Sequence, residues 1–293
     1  QIASTLYWAK ATIARRCLLG FNWSCSGGNQ VSAITDALVI TKRQLLQLAR
    51  VPEVLIFSTI QPVMFVLLFR YVFGGSIDTG QPGGYVQLLM PGIFVQTVAF
   101  TLAATASGLA EDMGKGLIDR FRSLPISRSA LVVGRTLGDS LLNIVVLTVM
   151  GIAGYVVGWR PTGGALNTAL AFLFLLAFGY ALSWTGIFAG LSARDARVVQ
   201  NISFLITFPL TFLSNAFAPT TGMPKVLQYF AEWNPVSTMV AACRELFGLE
   251  NQFGATAGSF PSEHPLITSV FYMFLIMAIF IPLSVRKYAN KSK

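Results

Sequence analysis

Residues 86–110 read VQLLMPGIFVQTVAFTLAATASGLA, 25 consecutive positions without a charged side chain. A helix crosses the ~30 Å hydrocarbon layer of a bilayer with about 20 mostly apolar residues, so this stretch is long enough to span. The next 25 residues, 111–135 (EDMGKGLIDRFRSLPISRSALVVGR), hold eight of the chain's 33 charged side chains. An uncharged run that stops at a dense charged one marks a membrane boundary, and the remainder of the chain repeats the pattern. Its 293 residues are 54% hydrophobic and 11% charged, with a mean hydropathy of +0.64, against ~25% charged in an average soluble domain. A globule of this size has no interior large enough for so much apolar surface. The solvent for that surface must be lipid.

Five further segments qualify as spans: 54–73, 136–158, 168–191 within the uncharged run 161–193, 198–219 and 266–285. Backbone polar groups in lipid must be paired within the segment, which requires helices. Pro62, Pro91 and Pro209 fall inside spans and predict local kinks. The expected fold is an all-α polytopic membrane protein with six transmembrane helices. No span at the start of the chain has the layout of a cleaved signal peptide.

Lysines and arginines orient the spans. With the N-terminus in the cytoplasm, 17 of the 21 basic side chains fall on the inner side. Arg160, Lys225 and Arg244 are left outside, and Arg70 stands at a span end. This asymmetry follows the positive-inside rule. It puts both termini inside, makes 220–265 the large outer loop, and accounts for the net charge of +9 without nucleic acid. Three cysteines without framework spacing and a single histidine, His264, exclude a Cys/His metal cluster and argue against a disulfide scaffold.

Nucleotide and hydrolase readings fail on spacing. A phosphate loop needs four residues between its first Gly and the Gly-Lys pair, then Ser or Thr after a strand. Here five residues separate Gly108 from Gly114, Gly116 follows Lys115, and a membrane helix precedes them. The SGGNQ at 26–30 imitates an ATPase signature but has no phosphate loop before it and reads as a linker. His264 on the outer side and Asp139 on the inner side cannot meet. The chain therefore carries no ATPase and no catalytic constellation of its own.

Between the second and third spans, Leu117, Ile118, Phe121 and Leu124 recur at helical spacing, with Asp119, Arg120 and Arg122 on other faces. Pro125 ends that turn. The pattern over 115–124 is a short cytoplasmic amphipathic helix, fitting either an interfacial helix on headgroups or a knob for a partner's groove. In the outer loop, 223–233 and 235–247 are each too short to span and are divided by Asn234-Pro235. They read as helices dipping back into the outer leaflet, a re-entrant hairpin, or as a surface hairpin.

Two stretches carry a resemblance. DMGKGLIDRFRSLPISRSALVVGRTLGD at 112–139 and FLSNAFAPTTGMPKVLQYFAEWNPVSTMVAACR at 212–244 resemble the daunorubicin-resistance type of ABC-transporter permease, of the type-2 exporter family. The resemblance covers roughly 31–293, and residues 1–30 form an extension with no assigned role. It implies a permease subunit in the cell membrane, working as a dimer or with a related permease. A separate cytoplasmic ATPase dimer would bind ATP and Mg and drive export of amphipathic drugs or lipid-like cargo. On these grounds 115–124 is the coupling helix. Leu117, Ile118 and Phe121 would fill the ATPase groove, Asp119, Arg120 and Arg122 would pair at its rim, and the turn at Lys115 would orient it. Residues 31–52 fit the family's connecting helix, capped by Thr35 or Asp36. Leu38, Leu45 and Leu48 form its apolar stripe in the inner interface, and Pro52 ends it.

Polar residues inside spans include Gln61, Gln96, Thr97, Thr101, Thr207 and Asn215. They line a central path or satisfy one another across helices. The resemblance puts the first two spans near a dimer interface, which makes Gln61, Thr97 and Thr101 path candidates, with Asn215 at the outer end of the fifth. The alternative is a secondary transporter without an ATPase. It would call for an ionisable residue deep in a span and an internal repeat; Asp139 at the cytoplasmic edge is the nearest candidate.

Overall fold

The structure is a computed structural model that describes residue 41 and residues 52–73, 84–115, 128–192, 195–217, 220, 223–249 and 259–290. Among the described residues every regular element is a helix: α1 (Pro52–Leu68), which runs into a π-helical turn (Phe69–Phe73), α2 (Tyr85–Gly114), α3 (Arg128–Val157), α4 (Gly164–Ser192), α5 (Ala196–Phe212), α6 (Lys225–Glu232), α7 (Pro235–Leu246), α8 (Phe260–Glu263) and α9 (Pro265–Asn290). Among the described residues four helices are long and apolar enough to cross a membrane: α2, α3 over Val132–Val157, α4, and α9 over Pro265–Tyr288. α1 and α5 coincide with the expected first and fifth spans but are 17 residues each, short of the ~20 that a perpendicular crossing needs. The helices continue through Pro62, Pro91 and Pro209.

α2 is the centre of the bundle. Every residue from Tyr85 to Gln96 is buried, and α3, α4, α5 and α7 pack around it. Its closest neighbour is α4, and two glycines one turn apart permit the approach. A Cβ on Gly186 would stand 2.6 Å from the Leu102 carbonyl, and one on Gly190 would stand 2.6 Å from that of Ala106. Small residues four apart are a common device for bringing membrane helices together, because packing rather than the hydrophobic effect drives association in lipid. A Cβ on Gly179, nearer the start of α4, would stand 2.9 Å from the Val98 and Asn143 side chains.

The fifth span ends earlier than the sequence predicts. Hydropathy carries it to 219, whereas α5 stops at Phe212 and a turn follows through Phe217. The reason lies in where the last carbonyls go. Leu210 O accepts Asn234 Nδ2 at 2.6 Å, and Thr211 O accepts the Ser214 hydroxyl. Side-chain donors thus satisfy the helix end, and the chain turns back beneath α2, where Gly92 meets the Ala216 carbonyl too closely to admit a Cβ.

The two segments expected in the outer loop form α6 and α7, joined at Asn234. Its Oδ1 accepts the Val236 N–H at 2.9 Å, capping α7 with Pro235 in the first turn. The pair differ in burial. α7 is buried from Val236 to Arg244, so it is part of the bundle rather than a surface helix, while α6 turns Val226, Tyr229 and Phe230 outward. The α3–α4 turn sits on the end of α7, with the amides of Thr162 and Gly163 donating to Phe247 O at 3.0 and 2.9 Å.

Of the expected connecting helix, Thr41 is described. It is buried, and its hydroxyl donates to Gly134 O on α3 at 3.1 Å. The rest of 1–51 lies outside the described residues, as do 116–127, which hold most of the expected coupling helix.

Candidate functional site

Between α1, α2, α3 and α5 lies a crevice of about 360 Å³, within the range of small-molecule sites (~300–1,000 Å³). It brings together three residues that the sequence singled out: Gln61 from α1, and Thr97 and Thr101 from α2. Gln61 is exposed and Thr97 half-buried. The Thr97 hydroxyl donates to Ile93 O at 2.7 Å in its own helix, so toward the crevice it can offer only acceptor lone pairs. Thr101 is buried and donates to Asn143 Oδ1 on α3 at 2.9 Å. Gln96, also lining the crevice, is 3% exposed, and its Nε2 has no acceptor among the described residues. No described side chain lining the crevice is charged.

Aromatic rings continue the crevice along α5. Phe100 and Phe204, both lining it, are stacked with centroids 5.7 Å apart. Phe204, Phe208 and Phe212 then follow one another along α5 at 5.4 and 4.3 Å. Phe212 stacks on Phe217 at 5.1 Å, Phe217 on Phe69 at 5.0 Å, and Phe69 on Phe65 at 6.1 Å, which returns to the crevice wall on α1. The spacing of 204, 208 and 212 places these rings on one face of a helix. Phe204 is 46% exposed and Phe212 36%, so the rings are offered to whatever lies alongside α5.

Asn215 is not part of this crevice. Its backbone N–H donates to Ser237 Oγ at 3.3 Å and its carbonyl accepts Arg244 Nη2 at 2.9 Å. Arg244 is fully buried and also donates to Leu88 O at 3.0 Å and Ala216 O at 3.3 Å. The sequence leaves Arg244 among the outer loop charges; the structure makes it a clasp joining α7, α2 and the turn after α5. A solitary arginine in a short apolar helix was the available signal.

At the opposite end of α2, polar side chains tie it to α3. Asp139 Oδ2 accepts the Thr105 hydroxyl at 2.6 Å. Arg135 pairs with Asp112, and Gly108 leaves the space that the Arg135 guanidinium fills. Lys115 caps the end of α2 and pairs with Glu111 Oε1 at 2.6 Å. Its hydrogen bond to Glu111 and that carboxylate's charge hold the exposed ammonium above the ordinary lysine value. The remaining coupling candidates, Leu117, Ile118, Asp119, Arg120, Phe121 and Arg122, lie outside the described residues.

The family described as "ABC-2 type transporter" matches residues 35–247. The chain belongs to that family. It is 33% identical over 263 residues, 90% of this chain and 89% of the relative, to the daunorubicin resistance ABC transporter permease protein DrrB1 of Streptomyces coeruleorubidus. It is 28% identical over 218 residues (73% and 74%) to the putative transport permease ycf38 of Cyanophora paradoxa. A third relative, the probable doxorubicin resistance ABC transporter permease protein DrrC of Mycobacterium tuberculosis, is 25% identical over 215 residues (72% and 76%). This ABC-2 chain thus has permease proteins for relatives, and its apolar helices are those of a membrane protein. Within it, sequence reasoning missed Asn143, the partner of Thr101, and the phenylalanines at four-residue spacing on α5.

Proposed function

We propose that this ABC-2 protein is the permease subunit of an ABC exporter, moving amphipathic drugs or lipid-like compounds out of the cell across the plasma membrane. A separate cytoplasmic ATPase dimer supplies the energy by hydrolysing ATP with Mg. The permease acts as a dimer, with a second copy or a related chain. Each chain contributes six spans, α1 and α5 among them, with both termini in the cytoplasm and α6–α7 set into the outer leaflet as a re-entrant hairpin. Residues 115–124 are the coupling helix, with Leu117, Ile118 and Phe121 in the ATPase groove and Lys115, Asp119, Arg120 and Arg122 around it. Gln61, Thr97 and Thr101 line the cargo path, and Asn215 lies toward its outer end.

The observation that carries this reading is the uncharged crevice continued by an unbroken series of ring contacts along α5. Polar groups without charge solvate amide, hydroxyl or carbonyl groups of a cargo, and exposed rings slide against its apolar part. Among the described residues the crevice lining offers no charged side chain to pair with a small inorganic ion. The test reconstitutes the permease with its ATPase in vesicles and measures transport of a drug and lipid panel. Transport should follow ATP and ignore a pH gradient. Gln61→Leu, Thr101→Val and Phe204→Ala should shift cargo preference while leaving ATPase association intact. Transport driven by a pH gradient without the ATPase would establish the secondary-transporter alternative instead.

A further inference from the structure

A second groove lies on the other side of α3, against α4. It has a volume of about 490 Å³ and is walled by Ile144, Leu147, Val156, Phe172 and their neighbours, almost entirely apolar. From Ile144 to Val156 it follows twelve residues of helix, about 18 Å at 1.5 Å per residue. Half of a ~30 Å hydrocarbon layer is about 15 Å. The groove therefore has the length of a single leaflet. The Thr148 hydroxyl along it is spent on Ile144 O at 2.7 Å, so the stretch from Ile144 to Ile152 asks for no polar partner.

The end of the groove is different. Tyr155 and Trp159 line it, the residue types that settle at the membrane–water interface. Just beyond them Arg160 is exposed, yet held in place. Its guanidinium carbon stands 3.5 Å from the centroid of the Tyr155 ring. Its Nη1 donates to the carbonyls of Tyr155 and Trp159, and its own amide N–H donates to Gln87 Oε1 at 3.1 Å. Among the described residues no carboxylate pairs with it. A cation fixed by a ring and two carbonyls, with donors still to spare and no counter-ion, is preorganised for an anion.

We propose that this groove holds one acyl chain of an anionic phospholipid, with the lipid phosphate on Arg160. Length, dryness and the terminal cation all fit that occupant. A neutral hydrocarbon ligand has no use for the cation, and a free phosphate has no use for the groove. The site lies on the α3–α4 face, away from the crevice lined by α1 and α5, so it does not depend on which cargo is exported.

The experiment is native mass spectrometry of the purified, delipidated protein titrated with phosphatidylglycerol or phosphatidylcholine of matched chains. One phosphatidylglycerol per chain should be retained over phosphatidylcholine by about fivefold, the effect of one basic side chain against an anionic lipid surface. Arg160→Gln should abolish the preference, and Arg160→Lys should keep more of it than Arg160→Gln. Gly151→Leu, whose Cβ meets only Phe172 at an ordinary 3.5 Å, should fill the groove and lower retention of both lipids. Should Arg160→Gln fail to fold, the wild-type preference and Arg160→Lys carry the test. Equal retention of the two lipids, a preference that survives in Arg160→Gln, or displacement of the lipid by inorganic phosphate would each overturn the proposal. So would efficient disulfide formation between two copies carrying Ile152→Cys, because a second chain would then cover the groove.

Discussion

Arg244→Met is the perturbation whose outcome the geometry constrains most. Arg244 is 0% exposed, and Met replaces its stem while supplying none of its donors. The Asn215 and Ala216 carbonyls, 2.9 and 3.3 Å from Nη2, lie in a turn rather than a helix and would be left without the guanidinium. A buried acceptor without a partner costs ~1–3 kcal/mol, so the pair costs about 4 kcal/mol. Removing a desolvated cation returns part of this, leaving about 2–3 kcal/mol favouring local opening of α7 from the turn.

Cys243, the neighbouring residue, is a buried free thiol and reports that opening. In a Cys17→Ser, Cys25→Ser background, maleimide labels Cys243 only from the open state. The rate then follows the open population, and at ~1.4 kcal/mol per tenfold, Arg244→Met should label roughly 30- to 150-fold faster than the parent. Arg244→Lys keeps a charge but loses the planar fork that reaches several carbonyls at once, so it should fall between. Unchanged labelling in Arg244→Met would refute the clasp.

Three further outcomes are expected. Gly186→Leu should lower the thermal midpoint of the detergent-solubilised protein sharply, since its Cβ meets the Leu102 carbonyl at 2.6 Å, whereas Gly114→Ala, with nothing within 4 Å, should be neutral. Asp112→Asn should destabilise, and the exchange Asp112→Arg with Arg135→Asp should recover part of the loss; a double-mutant cycle with no coupling would reject the pair as a structural tie. Phe121→Ala should weaken ATPase association or uncouple hydrolysis from transport, as truncating a buried interface aromatic costs ~2 kcal/mol or more, while Lys115→Ala should leave ATP binding by the partner intact. Normal coupling in Phe121→Ala would count against the docking role of 115–124.

Hydropathy located the helices because lipid compatibility is a property of each segment alone. The uncharged run 86–110 became α2, and Asn234-Pro235 divides α6 from α7 where turn chemistry placed the break. The end of α5 was not legible in the same way. Residues 213–219 carry no charge and keep Leu213, Ala216, Phe217 and Ala218 among their polar residues, so hydropathy runs on through them, and the helix end is met instead by Asn234 reaching Leu210 O from a separate element. Gln61, Thr97 and Thr101 stood out as polar residues in apolar spans, and they share the crevice. Asn215 stood out by the same criterion and went elsewhere, because polarity says that a partner is needed and not which one. The burial of Arg244 was not legible because charge counting assigns a side of the membrane and not a depth, and three backbone carbonyls can replace water around a guanidinium.

The distribution of these ties along α2 bears on how the crevice opens. At one end the Leu88 carbonyl is gripped by Arg244, and at the other Thr105 and Asp112 are bound to Asp139 and Arg135 on α3. In between, Gly186 and Gly190 hold α4 against Leu102 and Ala106 at backbone distance. Such contacts tolerate little sliding, since interiors packed to this density shift between discrete arrangements rather than deform continuously. α1 is held differently. Its principal neighbours are α2 and α3, it turns Ile60, Met64 and Leu68 outward, and its links to the rings of α5 pass through Phe69 and Phe217. A rocking of α1 breaks stacked ring contacts, each worth ~0.5–1.5 kcal/mol, whereas moving α2 breaks a partly buried ion pair and buried bonds to carbonyls. The wall that carries Gln61 and Phe65 is thus less costly to displace than the α2 wall, and widening of the crevice is expected to involve α1 before α2.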